Sequence, residues 1–215
     1  LTESEDVLAQ TVITHLSTGA SDFAIFSQSA PATATWQCHA KGRIGPGADA
    51  PAAFPLDAKR AELSSELTPE AFYDTYQQRG ISYGPEFRVL KQIWYGSGEA
   101  LAQVQLSDEE WAGAKHYQIH PIWLDAGLQL AGATLDQQAA SVTHLPVGIE
   151  RLILPATQGQ AVQWVYAKQQ AAAANGGHSA APLIDLQLLA ADGTVMVAIE
   201  GLRLQPVAPE QLLAS

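Results

Sequence analysis

The chain has 215 residues, of which 47% are hydrophobic and 15% are charged, a composition typical of a folded protein with a sizeable core. Its 22 acidic and 11 basic residues leave a net charge of −11, which disfavours binding to nucleic acid or to an anionic membrane surface. A single cysteine, Cys38, excludes an intrachain disulfide and argues against a metal site. No run of about 18 apolar residues could span a bilayer, and no signal-like segment precedes the first strand, so we expect a cytoplasmic protein. The polar start, LTESED, suggests a piece of a longer polypeptide.

Three strands are predicted in the first part of the chain. The segments VLAQTVIT, SDFAIFS and ATWQCHAKGRI are separated by turn-like clusters, which is the pattern of an antiparallel meander. Residues 45–57 then combine proline, glycine and alanine, which favours a linker. We therefore predict a first set of strands at 1–46, a linker at 47–62 and a second domain at 63–215.

The segment LTPEAFYDTYQQRG predicts a helix. Thr68 can cap its N-terminus, Pro69 suits the first helical position, and Gly80 can end it. Phe72 and Tyr76, with the tyrosine between them, fall on one apolar side of this helix.

Strands are predicted on both sides of a second helix. FRVLKQIWYG and ALAQVQLS precede it, and LPVGIERLIL, QAVQWVYAK, PLIDLQLLA and TVMVAIEGLRLQPV follow it, with an Asp-Gly turn before the last one. The alanine-rich QQAAAANGGHSAAP is interpreted as a flexible hairpin tip. Many antiparallel strands around one long helix indicate an α+β fold.

The second helix, predicted within YQIHPIWLDAGLQLAGATL at 117–135, carries hardly any charge. Pro121 suits its first turn, because backbone N–H groups there have no acceptor within the helix and the N–H that proline lacks is not needed. Because a solvated helix normally shows several charges, we expect the sheet to cover most of its sides. Its apolar face is predicted from residues at helical spacing, namely Leu124, Leu128, Ala131 and Leu135.

Two polar residues of this helix, Asp125 and Gln129, are four positions apart and so stack one turn above the other. A carboxylate near the start of a buried helix can cap it or compensate the positive end of its dipole. Alternatively, burial raises the carboxyl pKa, so that the group can give a proton to a leaving hydroxyl while Gln129 holds it in place. The residue pattern alone leaves both interpretations open.

Four segments together resemble the dehydratase domains of modular type I polyketide synthases. They are YGPEF (83–87), HPIWLDAGLQ (120–129), LPVGIE (145–150) and DGTVMVAIEGLRL (192–204), in this order and at about these distances. FAIFSQ, HAKG and Trp36 resemble the strands that close the first half of such domains. The resemblance covers nearly the whole chain and implies a double hotdog fold, in which each half wraps an antiparallel sheet around a long helix.

The resemblance also implies a reaction: loss of water from a β-hydroxyacyl chain held as a thioester on the phosphopantetheine arm of an acyl carrier protein, without a metal or other cofactor. In that family a histidine of the first hotdog is the general base, and an aspartate in a D-x-x-x-Q motif is the general acid. Asp125 matches this aspartate and Gln129 its motif partner. The expected partners are the carrier protein and neighbouring synthase domains, and a homodimer is left open. The resemblance places the following residues at the substrate: Tyr83, Gly84, Pro85, Phe87, His120 and Pro121.

None of the six histidines matches the H-x-x-x-G-x-x-x-x-P motif that carries the base in this family. His15 has Gly19 at the right distance, but Ala24 stands in the proline position. His120 is interpreted as a residue that shapes the start of the helix, not as the base. We therefore expect an incomplete first hotdog and a chain that is inactive alone, with the base upstream of Leu1 or on a partner.

Other functions of the same fold stay open. A hotdog domain without a base could serve to dimerise or to dock a carrier protein. A product-template domain, or a variant that shifts a double bond or closes a cyclic ether, can keep the aspartate. Because the matched segments follow one another in one chain, a free-standing thioesterase fits less well.

Overall fold

The computed structural model describes residues 7–29, 35–47, 51–107, 117–135, 143–155, 160–171 and 182–207. The chain divides into two compact units, a first unit, Leu1–Ala48, and a second unit, Asp49–Ser215. This division falls inside the segment predicted as a linker, 47–62. The domain bounds themselves stay a prediction.

The first unit contains a three-stranded antiparallel sheet in its described residues, in the order β1-β2-β3. Its strands are β1 (Val7–His15), β2 (Ser21–Ser29) and β3 (Gln37–Ile44). This confirms the predicted meander. Along all three strands the described residues are exposed or half-buried, and none is fully buried.

The second unit contains three α-helices in its described residues. They are α1 (Leu56–Glu62), α2 (Pro69–Gln78) and α3 (Pro121–Ala131). The predicted cap of α2 is confirmed, because the Thr68 side chain accepts a hydrogen bond from the backbone N–H of Ala71 at 3.3 Å. Helix α1 lies in the segment predicted as a linker. Within the described ranges, no helix has the length and apolar character needed to cross a membrane.

The described strands of the second unit form one eight-stranded antiparallel sheet, in the order β4-β5-β6-β9-β10-β11-β7, with β8 also paired to β11. Together with the helices above, it confirms the predicted α+β class. The bounds of these strands are β4 (Ser65–Leu67), β5 (Leu90–Gly96), β6 (Glu99–Val104), β7 (Thr143–Gly148), β8 (Arg151–Ile153), β9 (Trp164–Gln169), β10 (Leu183–Leu189) and β11 (Val195–Val207).

The segment LPVGIERLIL, predicted as one strand, forms two. Strands β7 and β8 both pair with β11, on either side of Gly201. The φ of Gly201 is +65°, a left-handed conformation that interrupts regular strand geometry. The predicted Asp-Gly turn is confirmed between β10 and β11, where Gly193 has a φ of +83°. Residues 172–181, which hold most of the predicted hairpin tip, lie outside the described residues.

Helix α3 packs against β6, β9 and β10 and forms the main core with them. Gly127 permits a close approach, since a Cβ there would lie 3.3 Å from Leu188 Cδ1 and 3.5 Å from Leu186 Cδ1. Successive strand residues point to opposite faces, so the other face of the sheet builds a second cluster with residues such as Leu101 and Tyr166.

The predicted apolar face of α3 needs a correction. Leu124, Leu128 and Leu135 are only half-buried, although they pack against the core. The most deeply buried side chains of the helix include Ile122, Trp123, Ala126 and Leu130, together with Ala131 and the polar Gln129. The stripe that faces the core is therefore rotated from the one that leucine spacing predicts.

Candidate active site

Asp125 lies beyond the first turn of α3 and does not cap it. The cap is His120, whose Nδ1 accepts a hydrogen bond from the backbone N–H of Ile122 at 3.3 Å. The first turn contains no acidic residue. The interpretation of Asp125 as a cap or as a partner of the helix dipole is therefore wrong.

The Asp125 carboxyl is half-buried and bonded to its predicted partner. Burial raises the pKa of Asp125 above its ordinary value, because it removes water from the charged form. In the opposite direction, Gln129 Nε2 donates a hydrogen bond to Asp125 Oδ2 at 2.6 Å and lowers the pKa in part. The net effect is a carboxyl that holds its proton to a higher pH than an exposed aspartate.

Gln129 is 1% exposed, and every polar group of its side chain is bonded. Besides the bond to Asp125, Nε2 donates to the backbone carbonyl of Phe87 at 2.9 Å. Its Oε1 accepts from the Tyr73 hydroxyl at 3.1 Å. The Tyr76 hydroxyl donates to the backbone carbonyl of Gln129 at 2.6 Å. The residue behind Asp125 is thus fixed from three sides.

Three tyrosines surround this network. The ring of Tyr83 lies 6.0 Å from that of Tyr73 and 5.3 Å from that of Tyr76, each in an edge-to-face arrangement. Burial raises the pKa of Tyr73 to about 12 and also raises those of Tyr76 and Tyr83, and the negative charge of Asp125 adds to all three shifts. All three hydroxyls are therefore neutral hydrogen-bonding groups at physiological pH.

Sequence reasoning missed two of these tyrosines as site residues. The sequence places Tyr73 and Tyr76 on the apolar side of α2, and both are buried. Their hydroxyls, however, reach across to α3. The available signal was the pair of tyrosines three residues apart on an apolar helix face, because buried tyrosine hydroxyls need partners.

The YGPEF segment forms a 3-10 turn, Pro85–Phe87, with Gly84 at its N-cap. Arg88 Nε donates to the backbone carbonyl of Tyr83 at 2.9 Å and ties the segment together. The turn brings the Phe87 carbonyl to Gln129, whereas the side chains of Pro85 and Phe87 are exposed. The predicted contacts of these residues with substrate stay a prediction.

His120 and Pro121 shape the entrance of α3. Pro121 occupies the first helical turn, as predicted. The His120 ring meets those of Tyr117 and Trp123 at centroid distances of 5.1 and 6.1 Å. The interpretation of His120 as a packed residue that defines the helix start is confirmed.

The described residues do not bring a histidine into hydrogen-bond contact with Asp125, whose described partner is Gln129. In the first unit, His15 bonds Ser21 at 3.0 Å and His39 bonds Ser27 at 2.5 Å, both on exposed strands. His116 and His178 lie outside the described residues. The described residues thus contain a candidate acid, Asp125, held by one partner, Gln129.

An antiparallel sheet around α3, with a half-buried aspartate held by a buried glutamine, defines a hotdog-type unit with a candidate acid site. Comparison with known proteins identifies the class further. Residues 51–214 match the family model described as the polyketide synthase dehydratase N-terminal domain. The chain belongs to the polyketide synthase dehydratase family.

Solved structures confirm the double hotdog fold class. An inactive mutant of the CurK dehydratase has a TM-score of 0.81 and 29% identity, covering 99% of this chain and 72% of that chain. The dehydratase domain from the CurK module of the curacin polyketide synthase has a TM-score of 0.80 and 30% identity, covering 98% of this chain and 71% of that one.

Curated relatives are much longer than this chain. Mycoketide-CoA synthase of Mycobacterium tuberculosis is 30% identical over 196 residues, which cover 89% of this chain and 4% of the synthase. Polyketide synthase GfsB of Streptomyces halstedii is 27% identical over 187 residues, covering 84% of this chain and 3% of the synthase. The chain therefore spans a small fraction of each of these proteins.

Proposed function

We propose that the second unit provides the general acid of a dehydratase that removes water from a β-hydroxyacyl thioester. The observation that carries the proposal is the half-buried Asp125 carboxyl, whose pKa is raised by burial and whose Oδ2 is held by Gln129. A carboxyl that stays protonated to higher pH can donate a proton to a leaving hydroxyl, which is the task of the acid in this elimination.

In the proposed reaction a general base removes the proton from the α-carbon. The electron pair left there forms the α,β double bond as the bond between the β-carbon and its hydroxyl oxygen breaks. Asp125 gives its proton to that oxygen, so that water leaves instead of hydroxide. The products are the α,β-unsaturated thioester and water, and no electrons are exchanged with a redox cofactor.

The tyrosine cluster fits a role in substrate placement. Within the described part of the chain, the Tyr83 hydroxyl makes no hydrogen bond, whereas those of Tyr73 and Tyr76 are bonded to Gln129. Tyr83 is therefore the tyrosine with a hydroxyl available to a ligand. We assign to it the orientation of the substrate β-hydroxyl next to Asp125, with Gly84, Pro85 and Phe87 shaping its segment.

The base and the carrier are supplied from outside the residues that build this site. The CurK dehydratase has been solved as two variants called inactive, one with an aspartate changed to asparagine and one with a histidine changed to phenylalanine. These variants support an acid and a base that are both needed. In our proposal the substrate arrives on the phosphopantetheine arm of an acyl carrier protein within a multidomain synthase.

Replacing the proposed acid tests this function. In the full-length polypeptide that carries this sequence, Asp125→Asn should slow conversion of a 3-hydroxybutyryl thioester to the crotonyl thioester by about 10²–10⁴-fold, because a positioned acid typically contributes that much. The rate is followed by the absorbance of the enoyl thioester.

Asp74→Asn is the matched control, since Asp74 lies on the exposed side of α2 and should retain the full rate. Full activity in Asp125→Asn would contradict the proposal. A folded wild-type protein with no turnover on any β-hydroxyacyl thioester would favour the non-catalytic docking function.

A further inference from the structure

Tyr73 forms the start of a directed chain of hydrogen bonds. The backbone N–H of Leu90 donates to the Tyr73 hydroxyl oxygen at 3.2 Å. The single proton of that hydroxyl is therefore left to point elsewhere. It meets Gln129 Oε1 at 3.1 Å, and the Phe87 carbonyl at the longer distance of 3.4 Å. The shorter contact favours donation to the glutamine oxygen.

The amide of Gln129 has two unlike ends, an acceptor Oε1 and a donor Nε2 with two protons. Nε2 lies 2.9 Å from the Phe87 carbonyl, a group that can only accept. Its second proton goes to Asp125 Oδ2 at 2.6 Å. A turned amide would place Oε1 against the Phe87 carbonyl oxygen and Asp125 Oδ2, and it would leave the Tyr73 proton only the longer contact with the Phe87 carbonyl.

We propose that Tyr73 is a positioning residue that fixes the orientation of the Gln129 amide, so that Nε2 always faces Asp125. Asp125 Oδ2 is then a permanent acceptor, and the transferable proton of the acid resides on Oδ1. Two backbone groups anchor the chain at its ends, the donor N–H of Leu90 and the acceptor carbonyl of Phe87. The buried tyrosine thus determines which oxygen of the acid delivers the proton.

The groups around Asp125 determine what else can affect its titration. The strand side chains closest to the middle of α3 are apolar, as shown by Leu186, Leu188 and Val165 around Gly127. Arg88 lies over the Tyr73 ring at 5.5 Å from its centroid. The titratable and charged groups described in contact around the site include Tyr73, Tyr76, Tyr83, Arg88 and His120. The elements packed around α3 also carry Glu70, Asp74, Arg79, Glu86, Glu99, Lys168 and Asp185.

The inference rests on the proposed function, since it concerns the proposed acid, but its test measures protonation and not turnover. The titration of the Asp125 carboxyl is followed by carbon-13 NMR in the full chain. Tyr73→Phe should move the Asp125 pKa upward, because it loosens the amide that donates to the carboxylate. Gln129→Leu should move the pKa upward further, because it removes the donor.

Tyr76→Phe is the matched control. It deletes another buried hydroxyl, which bonds the backbone carbonyl of Gln129 and not its side-chain amide, so the Asp125 pKa should change less than in Tyr73→Phe. The decisive comparison is the Tyr73→Phe/Gln129→Leu double variant. If Tyr73 acts through Gln129, this variant titrates like Gln129→Leu alone.

An unchanged Asp125 pKa in Tyr73→Phe would overturn the proposal. It would also be overturned if Tyr73→Phe raised the Asp125 pKa equally in the wild-type and the Gln129→Leu backgrounds. If Tyr73→Phe does not fold, the wild-type chain still provides a test. The side-chain amide protons of Gln129 should shift downfield as Asp125 ionises, and amide protons that do not respond would overturn the proposal. Loss of the proposed dehydratase activity is a separate result, detected by Asp125→Asn.

Discussion

The two units of the chain differ in what they bury. The second unit packs two hydrophobic clusters on opposite faces of its sheet, and it holds Asp125 against one of them. The first unit has a regular sheet of three paired strands, yet none of its described strand residues is fully buried. Among its described residues, the exposed large hydrophobic ones are Leu8, Val12, Ile13, Ile25, Trp36 and Ile44.

This difference shows that a sequence can pair its strands into a regular sheet without burying apolar side chains in a core. Backbone hydrogen bonds complete the ladders of both sheets. A helix that lies against the sheet, as α3 does, is what removes apolar side chains from water in the second unit. The same packing desolvates Asp125, so the core and the candidate site have one physical cause.

Matched leucine substitutions should show the largest difference in stability between the two units. Leu186 in β10 is fully buried, and Leu186→Ala should lower the free energy of unfolding by about 2–5 kcal/mol. Leu8 in β1 is 62% exposed, and Leu8→Ala should change it by no more than about 0.5 kcal/mol. Urea denaturation measured for both variants makes the comparison. Equal losses would show that the first unit buries Leu8 as deeply as the second buries Leu186.

A smaller effect is expected from ion pairs. Burial alone would raise the pKa of Glu99, but hydrogen bonds from Lys59 and Lys168 outweigh it and hold the pKa below its ordinary value. In the first unit the bond from Arg43 lowers the pKa of Asp22, but this pair is exposed. A depressed carboxyl pKa stabilises the folded state above the unfolded pKa, and this contribution is lost as pH falls through the folded one.

Glu99→Gln should therefore remove part of the loss of stability that the wild type shows on acidification below about pH 4.5. Asp22→Asn should alter that pH dependence less, because solvent and salt screen an exposed pair. Unfolding free energies at several acidic pH values measure both effects. A larger change in slope for Asp22→Asn than for Glu99→Gln would reverse the comparison between the units.

Much of the second unit could be predicted from residue patterns. Helix α3 follows from Pro121 and the helical spacing of its apolar residues, and the stacking of Asp125 and Gln129 follows from their spacing. The burial of each face of α3 does not follow from the sequence pattern, because Leu124 and Leu128 are only half-buried. Burial depends on which strands meet the helix, and helical periodicity does not contain that information.

Other features depended on contacts between distant segments. Helix α1 escaped prediction because it has seven residues, follows Pro55 and lacks a side-chain cap. The roles of Tyr73 and Tyr76 depend on partners 56 and 53 residues away in the chain. Local propensity describes the helix that carries these tyrosines, but the packing of α2 on α3 determines what their hydroxyls bond.

In the proposed function, packing in the second unit holds Asp125 as a proton donor. Carbon-13 NMR titration of its carboxyl in the wild-type chain tests this most directly. We expect a pKa above the ordinary aspartate value of about 3.9, because burial outweighs the bond from Gln129. An Asp125 carboxyl that titrates at or below that value would contradict it.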